Sequence, residues 1–168
     1  MRLTAVCVMF AGLMLPGPLL AGTSNSLMDI SADGRLLACT NRDNGTVSIV
    51  DLEQSSVIHE IPVGRHPEGI TFLGDSHRLA ATVYDDDKIV FLDADSGQIT
   101  AHLDVFDEPY GVFSNFDGSR VDGALEYPGQ IVEIDTQKPA VLRTLDAGGF
   151  LRGIALSPDA ARLYVTEY

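Results

Sequence analysis

Tryptophan is absent from the 168 residues, and cysteine occurs only at Cys7 and Cys39. Cys7 lies in an apolar N-terminal segment with the features of an export signal, so removal of that segment would leave Cys39 alone. An internal disulfide is therefore excluded for the mature chain, even in an oxidising compartment. We interpret Cys39 as a small apolar side chain within a strand.

Positive charge is also scarce in this chain. Eleven lysines and arginines stand against 24 aspartates and glutamates, which gives a formal net charge of -13 and a pI near 4.4. A surface of this sign repels phosphate backbones and anionic lipid, so we expect no nucleic-acid partner. The hydrophobic share of 45% is typical of a folded chain and not of a disordered one.

Recognisable catalytic motifs are missing as well. The sequence has no Cys-x-x-Cys-His for covalent haem, no Gly-x-Ser-x-Gly elbow, no His-Glu-x-x-His and no phosphate-binding glycine loop. No motif indicates a cofactor or a catalytic residue. These absences favour a binding role over an enzymatic one.

The N-terminus is typical of an export signal. Arg2 is followed by an apolar run over residues 3–15, a Pro-Gly-Pro break and small residues over 21–26 that suit cleavage. The run is shorter than the roughly 20 residues of a spanning helix, so we expect no membrane span after the signal is removed. We predict a signal peptide at residues 1–22 and a periplasmic or cell-surface protein.

A repeat dominates the remainder of the chain, residues 23–168. Its landmarks recur at intervals of 42 or 43 residues, an interval that indicates a stack of four-stranded units in which each unit covers its neighbours. The predicted units are residues 26–68, 69–110, 111–152 and an incomplete 153–168. The recurring landmarks are Gly69, Gly111 and Gly153; Asp51, Asp93 and Asp135; and Arg35, Arg78, Arg120 and Arg162.

Apolar runs separated by turn residues predict the strands of each unit. Ile89 to Leu92 are consecutive apolar residues, as expected of a strand covered on both faces. Val57, His59 and Ile61 alternate with polar residues, as expected of an outermost strand. The predicted strands are residues 27–31, 35–41, 46–52 and 57–63; 69–73, 78–84, 88–94 and 99–105; 110–114, 120–126, 130–135 and 141–147; and 152–157 and 162–168.

The residues that characterise each known family of repeats distinguish which family this sequence resembles. WD40 units need tryptophan, and kelch units are nearer 50 residues long. The segment LSPDAARLYVTEY, residues 156–168, resembles the signature of the YVTN family of bacterial β-propeller repeats, and residues 31–41 and 115–127 are looser copies. The third strands GTVSIVDL, KIVFLDA and QIVEIDT are similar to the family's next strand. The aspartates that end them recur once per unit, which favours a structural role in turns.

This resemblance implies an all-β fold, a β-propeller of four-stranded antiparallel blades with about three and a half blades present as a partial or open ring. It also implies a binding or interaction scaffold. The alternative is a propeller domain of a haem- or quinone-associated redox enzyme, or of a small-molecule hydrolase, with its site at the central funnel. Asp122 and Gly123 depart from the family pattern and predict a weakened or bulged strand.

An open ring would expose the faces of its first and last units, which a soluble monomer rarely tolerates. Three explanations are compatible with the sequence. The chain is a fragment whose missing C-terminal portion completes the ring, or another chain completes it by self-association, or four units close on themselves. The third would lack half of one unit.

The loops at one end of a propeller surround its central funnel, and we expect the binding site there. Their carboxylates supply the oxygen donors that Ca²⁺ and polar ligands prefer, although a solvated acidic rim has the same composition. Residues 85–87 lack EF-hand spacing and His66 has no second histidine nearby, so a metal stays unassigned. The expected partner is a protein or a small polar ligand. The candidate residues are His66, Glu68, Asp85, Asp86, Asp87, Asp107, Glu108, Tyr110, Glu126, Tyr127 and Arg152.

Overall fold

The computed structural model describes residues 25–168, and the predicted signal peptide lies outside them. The described chain consists of fourteen β-strands and one 3-10 turn, Tyr84–Asp86. No helix in this part of the chain has the length and apolar character that a bilayer span requires. The strands form three four-stranded sheets and one two-stranded sheet, so the all-β prediction is confirmed.

The strand bounds agree with the predicted ones to within two residues. Each sheet is an antiparallel meander in which consecutive strands are neighbours, and we call the four sheets units 1 to 4. Unit 1 contains β1 (Asn25–Ile30), β2 (Leu36–Asn41), β3 (Thr46–Asp51) and β4 (Ser56–Pro62). Unit 2 contains β5 (Pro67–Phe72), β6 (Arg78–Val83), β7 (Lys88–Asp93) and β8 (Gln98–Asp104). Unit 3 contains β9 (Pro109–Ser114), β10 (Arg120–Leu125), β11 (Gln130–Asp135) and β12 (Ala140–Asp146). Unit 4 contains β13 (Leu151–Leu156) and β14 (Leu163–Glu167).

The hydrophobic core lies between the units and not within them. Ala38 and Ile49 of unit 1 pack with Phe72 and Leu92 of unit 2 in one buried cluster. A second cluster joins units 2 and 3 around Phe91, and a smaller one joins units 3 and 4. The third strand β7 is buried on both faces from residue 89 to 92, as its unbroken apolar run predicts. The outermost strand β12 is exposed along its whole length.

The recurring aspartates occupy turns, as predicted. Asp51 accepts a hydrogen bond from the Gln54 amide at 2.7 Å, and Asp93 accepts one from the Ser96 amide at 2.8 Å. Asp135 accepts from two backbone amides in the equivalent turn. A carboxylate that ends the third strand therefore satisfies the backbone of the reversal that follows it.

The departure at Asp122 and Gly123 has a local effect only. Strand β10 is unbroken and pairs residue by residue with β11, while its pairing with β9 shifts between Gly123 and Leu125. The predicted irregularity is therefore present, but the first two strands of units 1, 2 and 4 shift register in the same way. A Cβ on Gly123 would lie 3.2 Å from the Ile89 side chain of unit 2, so glycine leaves room for the neighbouring unit.

The recurring glycines allow the first strands of adjacent units to approach closely. A Cβ on Gly69 would lie 2.4 Å from the Tyr110 carbonyl oxygen, and one on Gly111 would lie 2.1 Å from the Arg152 carbonyl oxygen. Real Cβ atoms do not make contacts this short. The regular spacing of these glycines is therefore a consequence of strands packing side by side around one axis.

A threonine on the second strand stabilises this close approach of first strands by hydrogen bonds. The Thr82 hydroxyl accepts a hydrogen bond from the Gly69 amide and donates one to the Tyr110 carbonyl, both at 2.7 Å. Thr40, at the equivalent position of unit 1, accepts from the Leu27 amide at 3.1 Å and donates to the Glu68 carbonyl at 2.7 Å. We call this arrangement the threonine bridge. It joins the backbones of units 1 and 2 and those of units 2 and 3 through one buried hydroxyl each, whereas unit 3 has Ala124 at the equivalent position.

We expect Thr82→Val to lower the free energy of unfolding by about 1–3 kcal/mol, because the variant leaves the buried Gly69 amide and Tyr110 carbonyl without this partner. Thr144 lies on the exposed strand β12. Thr144→Val is therefore a matched control and should change stability by less than about 0.5 kcal/mol. Urea unfolding measures both variants, and equal effects would contradict a special role for Thr82.

An ionic contact joins units 1 and 2 at the end of the strands opposite to the threonine bridge. His77 Nδ1 lies 2.8 Å from Asp95 Oδ1, and His77 Nε2 lies 3.0 Å from Asp33 Oδ2. The hydrogen bond to Asp95 is the largest cause that raises the pKa of His77; burial opposes it, and the hydrogen bond to Asp33 raises the pKa further. Hydrogen bonds from Ser31 and the Arg35 amide lower the pKa of Asp33 to about 2.

Charged His77 donates to both aspartates, whereas the neutral ring donates only once. Its folded-state pKa is raised, so its contribution to stability is complete below its ordinary pKa of 6.5 and is lost as the pH rises through the raised value. We expect His77→Gln to destabilise the protein more at about pH 6 than at about pH 9. Urea unfolding at the two pH values tests this, and a destabilisation independent of pH would exclude the ionic contribution.

Candidate functional site

The loops predicted to share one end of the fold do meet there. The loop from β4 to β5 contacts the turn after β6, since His66 Nδ1 lies 2.8 Å from Asp85 Oδ2. The first strand of unit 4 contacts the turn after β10, since Arg152 reaches Glu126. This end of the strands, which we call the funnel end, brings together residues that are far apart in the sequence.

Two ion pairs occupy equivalent positions at the funnel end, with their charges reversed. The residue directly after the second strand of one unit faces the second residue of the next unit's first strand. At the junction of units 1 and 2 this pair is Arg42 and Glu68, with Nε 2.6 Å from Oε1. At the junction of units 3 and 4 it is Glu126 and Arg152, with Oε1 3.0 Å from an arginine terminal nitrogen. Both glutamate side chains are at least nine-tenths buried.

Aromatic side chains occupy the junction between these two pairs. The rings of Tyr84 and Tyr110 meet edge to face with centroids 6.2 Å apart. The Arg152 guanidinium carbon lies 4.8 Å from the centroid of the Tyr110 ring and 4.5 Å from that of Tyr168, so the arginine has cation-π contacts with two tyrosines. We call these residues together the funnel-end cluster: Arg42, Glu68, Tyr84, Tyr110, Glu126, Arg152 and Tyr168.

The cluster contains buried polar atoms that form no hydrogen bond with the described residues. Glu126 Oε2 and Arg152 Nε are both buried and have no hydrogen-bond partner within residues 25–168. Burial raises the pKa of the Tyr84 hydroxyl, and the carboxylates of Glu126 and Glu108 raise it further. Tyr84 therefore keeps its proton as a hydrogen-bond donor. The cluster presents a carboxylate, a phenol and a guanidinium within one small region.

The acidic triplet at residues 85–87 is a separate feature with internal partners. Asp85 pairs with His66, and Asp86 accepts from Arg65 Nε at 2.7 Å. Asp87 has a left-handed backbone with φ of 51° and accepts from the Glu108 amide at 3.1 Å. The hydrogen bond from Arg65 lowers the pKa of Asp86. This geometry matches the interpretation of the triplet as turn-forming aspartates more closely than that of a cation site.

A metal centre has no support in the described part of the chain. No group of three or more His, Cys, Asp or Glu side chains in residues 25–168 has the geometry to hold a metal ion. Asp107 lies near Asp87, and burial followed by the charge of Asp87 raises its pKa. Tyr127 is 55% exposed.

The structure therefore places eight of the eleven predicted site residues in two groups, and Asp107, Glu108 and Tyr127 belong to neither. Glu68, Tyr110, Glu126 and Arg152 belong to the funnel-end cluster, while His66 and residues 85–87 form the ionic turn beside it. The sequence interpretation missed Arg42, Tyr84 and Tyr168 as members of the cluster. A signal for them exists, because Arg42, Tyr84, Glu126 and Tyr168 follow one another at the repeat interval. Each directly follows the second strand of its unit.

Comparison with known proteins supports the fold. The chain matches no protein-family model and no curated protein. Among solved structures it is similar to Kuenenia stuttgartiensis hydrazine synthase, with a TM-score of 0.81 and 23% identity over 95% of this chain and 46% of that one. It is also similar to a chain of the mitotic checkpoint complex, with a TM-score of 0.77 and 18% identity over 84% of this chain and 47% of that one.

Both neighbours are β-propeller proteins, and the chain has the β-propeller fold. Within residues 25–168 it has three complete four-stranded units and a two-stranded fourth. The chain spans about half the length of the two solved chains it matches. Membership of the YVTN family stays a prediction, and identities this low support the fold alone.

A charge exchange tests whether the two ion pairs are equivalent. Glu126→Arg and Arg152→Glu should each lower the free energy of unfolding by about 1–2 kcal/mol, because each places like charges together at a partly buried site. The double variant reproduces the polarity of Arg42 and Glu68, so we expect it to recover most of the loss.

The control exchange uses Glu133 and Arg143, a more exposed pair on β11 and β12 with a 3.1 Å contact, whose side chains are 28% and 72% exposed. Its single variants should change stability by less than about 1 kcal/mol. Additive losses in the double variant at Glu126 and Arg152, measured by urea unfolding, would show that the two side chains act independently.

Proposed function

We propose that this protein is an exported β-propeller scaffold that binds a protein or a small polar ligand at its funnel end, in the periplasm or at the cell surface. The observation that carries the proposal is the funnel-end cluster. Its members come from all four units and meet because the loops at this end converge, which is the usual origin of binding sites on rigid scaffolds.

The chemistry of the cluster favours a ligand that carries hydrogen-bond donors. A buried carboxylate oxygen without a donor carries a free-energy cost, and a ligand that supplies a donor after a small movement of the partly exposed Arg152 removes that cost. Tyr110 offers a ring face for apolar or cationic groups. The acidic composition of the chain favours cationic partners over anionic ones.

The scaffold role has a parallel in the neighbour from the mitotic checkpoint complex, which is a WD40 protein in a multiprotein assembly. A second candidate follows from the other neighbour. Hydrazine synthase is a redox enzyme, and the likeness covers 95% of this chain, so the second candidate is a propeller part of a redox enzyme. A visible absorption band of haem or quinone in purified protein would support this candidate over the scaffold.

The experiment uses the full chain expressed in a bacterial host, recovered from the periplasm and labelled for NMR. We expect residues 1–22 to direct export and to be absent from the recovered protein. Titration with free amino acids, sugars and lysine-containing tripeptides should shift backbone resonances at residues 68, 110, 126 and 152.

Tyr110→Ala and Glu126→Gln should weaken the binding of the active probe by roughly tenfold or more, because each removes a contact at the centre of the cluster. The controls are Phe116→Ala and Glu133→Gln, which alter an exposed ring and a partly buried carboxylate on β11, both outside the funnel-end cluster. Retention of the protein in the cytoplasm would refute export. Resonance shifts confined to other surfaces would refute the site.

A further inference from the structure

The ion pair between Glu126 and Arg152 leaves one atom of each charged group without a partner. Glu126 Oε1 accepts a hydrogen bond from a terminal nitrogen of Arg152 at 3.0 Å. Glu126 Oε2 and Arg152 Nε are buried and form no hydrogen bond with any residue from 25 to 168. Each of these atoms is two covalent bonds from an atom of the contact that is made. An unpaired acceptor and an unpaired donor therefore lie close together.

Burial makes the two unpaired atoms unfavourable in the protein alone. The Glu126 side chain is 9% exposed, and buried polar atoms are normally hydrogen-bonded. Glu126 follows β10 and Arg152 lies on β13, so units 3 and 4 together define the site. The Arg152 side chain is 38% exposed, so a movement of its guanidinium can open both atoms to a molecule at the funnel end.

The equivalent ion pair between units 1 and 2 is made differently. Arg42 uses its Nε to contact Glu68 at 2.6 Å. This is the nitrogen that has no partner in Arg152. An arginine of the funnel-end cluster can therefore pair through Nε, and the unpaired Nε is a particular property of the junction between units 3 and 4.

An unpaired acceptor beside an unpaired donor restricts the chemistry of a ligand. An ammonium group only donates, so it would pair with Glu126 Oε2 but would meet the positive charge of Arg152. A carboxylate or phosphate group only accepts, and it would meet the negative charge of Glu126. A hydroxyl group both donates and accepts. Neighbouring hydroxyls on a neutral molecule therefore match both atoms, although the net charge of the whole chain attracts cations at longer range.

The tyrosines beside the ion pair favour hydroxyls that are carried on a carbon ring. Tyr84 and Tyr110 are partly buried, and their rings meet edge to face with centroids 6.2 Å apart. Such rings combine an apolar body with a polar tip, which suits a molecule with C–H groups on one side and hydroxyls around it. Burial, and then the carboxylates of Glu126 and Glu108, raise the pKa of the Tyr84 hydroxyl, which keeps its proton for donation.

We propose that the funnel-end cluster binds a neutral sugar, one hydroxyl of which donates to Glu126 Oε2 while a neighbouring hydroxyl accepts from Arg152 Nε. The sugar ring packs against the tyrosine pair. This inference rests on the proposed binding function of the funnel end and names its class of ligand. Because Glu126 and Arg152 carry opposite charges, a charge of either sign on the sugar is repelled by one of them.

NMR titration of the exported full chain tests the proposal with glucose, galactose and mannose as probes. We expect at least one of them to shift the backbone resonances of residues 84, 110, 126 and 152, with a dissociation constant of about 1 mM. The charged relatives glucosamine and glucuronic acid, or those of whichever sugar binds, should bind at least about fivefold more weakly. The methyl glycoside of that sugar distinguishes the two sources, since only the end of a glycan chain is blocked at the anomeric carbon.

Two variants test the predicted contacts. Arg152→Lys keeps the positive charge beside Glu126 but has no Nε, so it should weaken sugar binding by roughly tenfold. Arg143→Lys makes the same change in an exposed pair and should bind the sugar as wild type does. Tyr84→Phe keeps the ring and removes the hydroxyl, so it serves where Arg152→Lys folds poorly by circular dichroism. Its control is Tyr164→Phe on β14, and unchanged affinity in both Arg152→Lys and Tyr84→Phe would overturn the predicted contacts.

Failure of this inference is distinguishable from failure of the proposed function. Shifts at the same four residues with lysine-containing tripeptides or with glutamine, but with none of the sugars, would overturn the assignment of a sugar and leave the binding function standing. Tighter binding of a charged sugar than of its neutral relative would overturn the assignment as well. The absence of shifts with every probe, or shifts confined to other surfaces, would overturn both proposals.

Discussion

Mutual burial of neighbouring units is the constraint on which the rest of this structure depends. A four-stranded meander has two faces and too little volume to bury either alone, so its apolar residues become a core only against another unit. The two large clusters lie between units, and the strand covered on both sides, β7, belongs to a unit with neighbours on both sides. The stability of the fold therefore comes from the contacts between neighbouring units.

The same constraint explains which parts of the fold are readable in the sequence. A Cβ at residue 69 or 111 would collide with the carbonyl of the next unit's first strand, so these close approaches require glycine, and Gly69 and Gly111 lie one repeat apart. The turn aspartates recur for a similar reason, since each reversal has the same unsatisfied amides. Strand bounds were predictable to within two residues because burial on two faces, burial on one face and exposure give different residue patterns.

The site was less predictable, for a physical reason. Loop convergence identifies the funnel end, and the predicted residues Glu68, Tyr110, Glu126 and Arg152 lie in the cluster found there. It does not say which side chains touch across a junction. Residues that touch across a junction, such as Arg42 and Glu68, are separated in the sequence by less than one repeat. Such a separation can be recognised only when the structure shows the first strand of one unit beside the second strand of the preceding unit. The acidic triplet at residues 85–87 is conspicuous by composition, whereas in the structure Asp86 pairs with Arg65 and Lys88 and Asp85 contacts His66.

The reversed polarity of the two ion pairs affects how such a chain avoids misassembly. Repeats of similar sequence are prone to pairing in the wrong order during folding. If unit 1 were followed directly by unit 4, Arg42 would meet Arg152, and if unit 3 preceded unit 2, Glu126 would meet Glu68. Both errors bring like charges together in a poorly hydrated place, where repulsion is strong. The correct order is the one in which opposite charges meet, so these side chains label each unit's place in the succession.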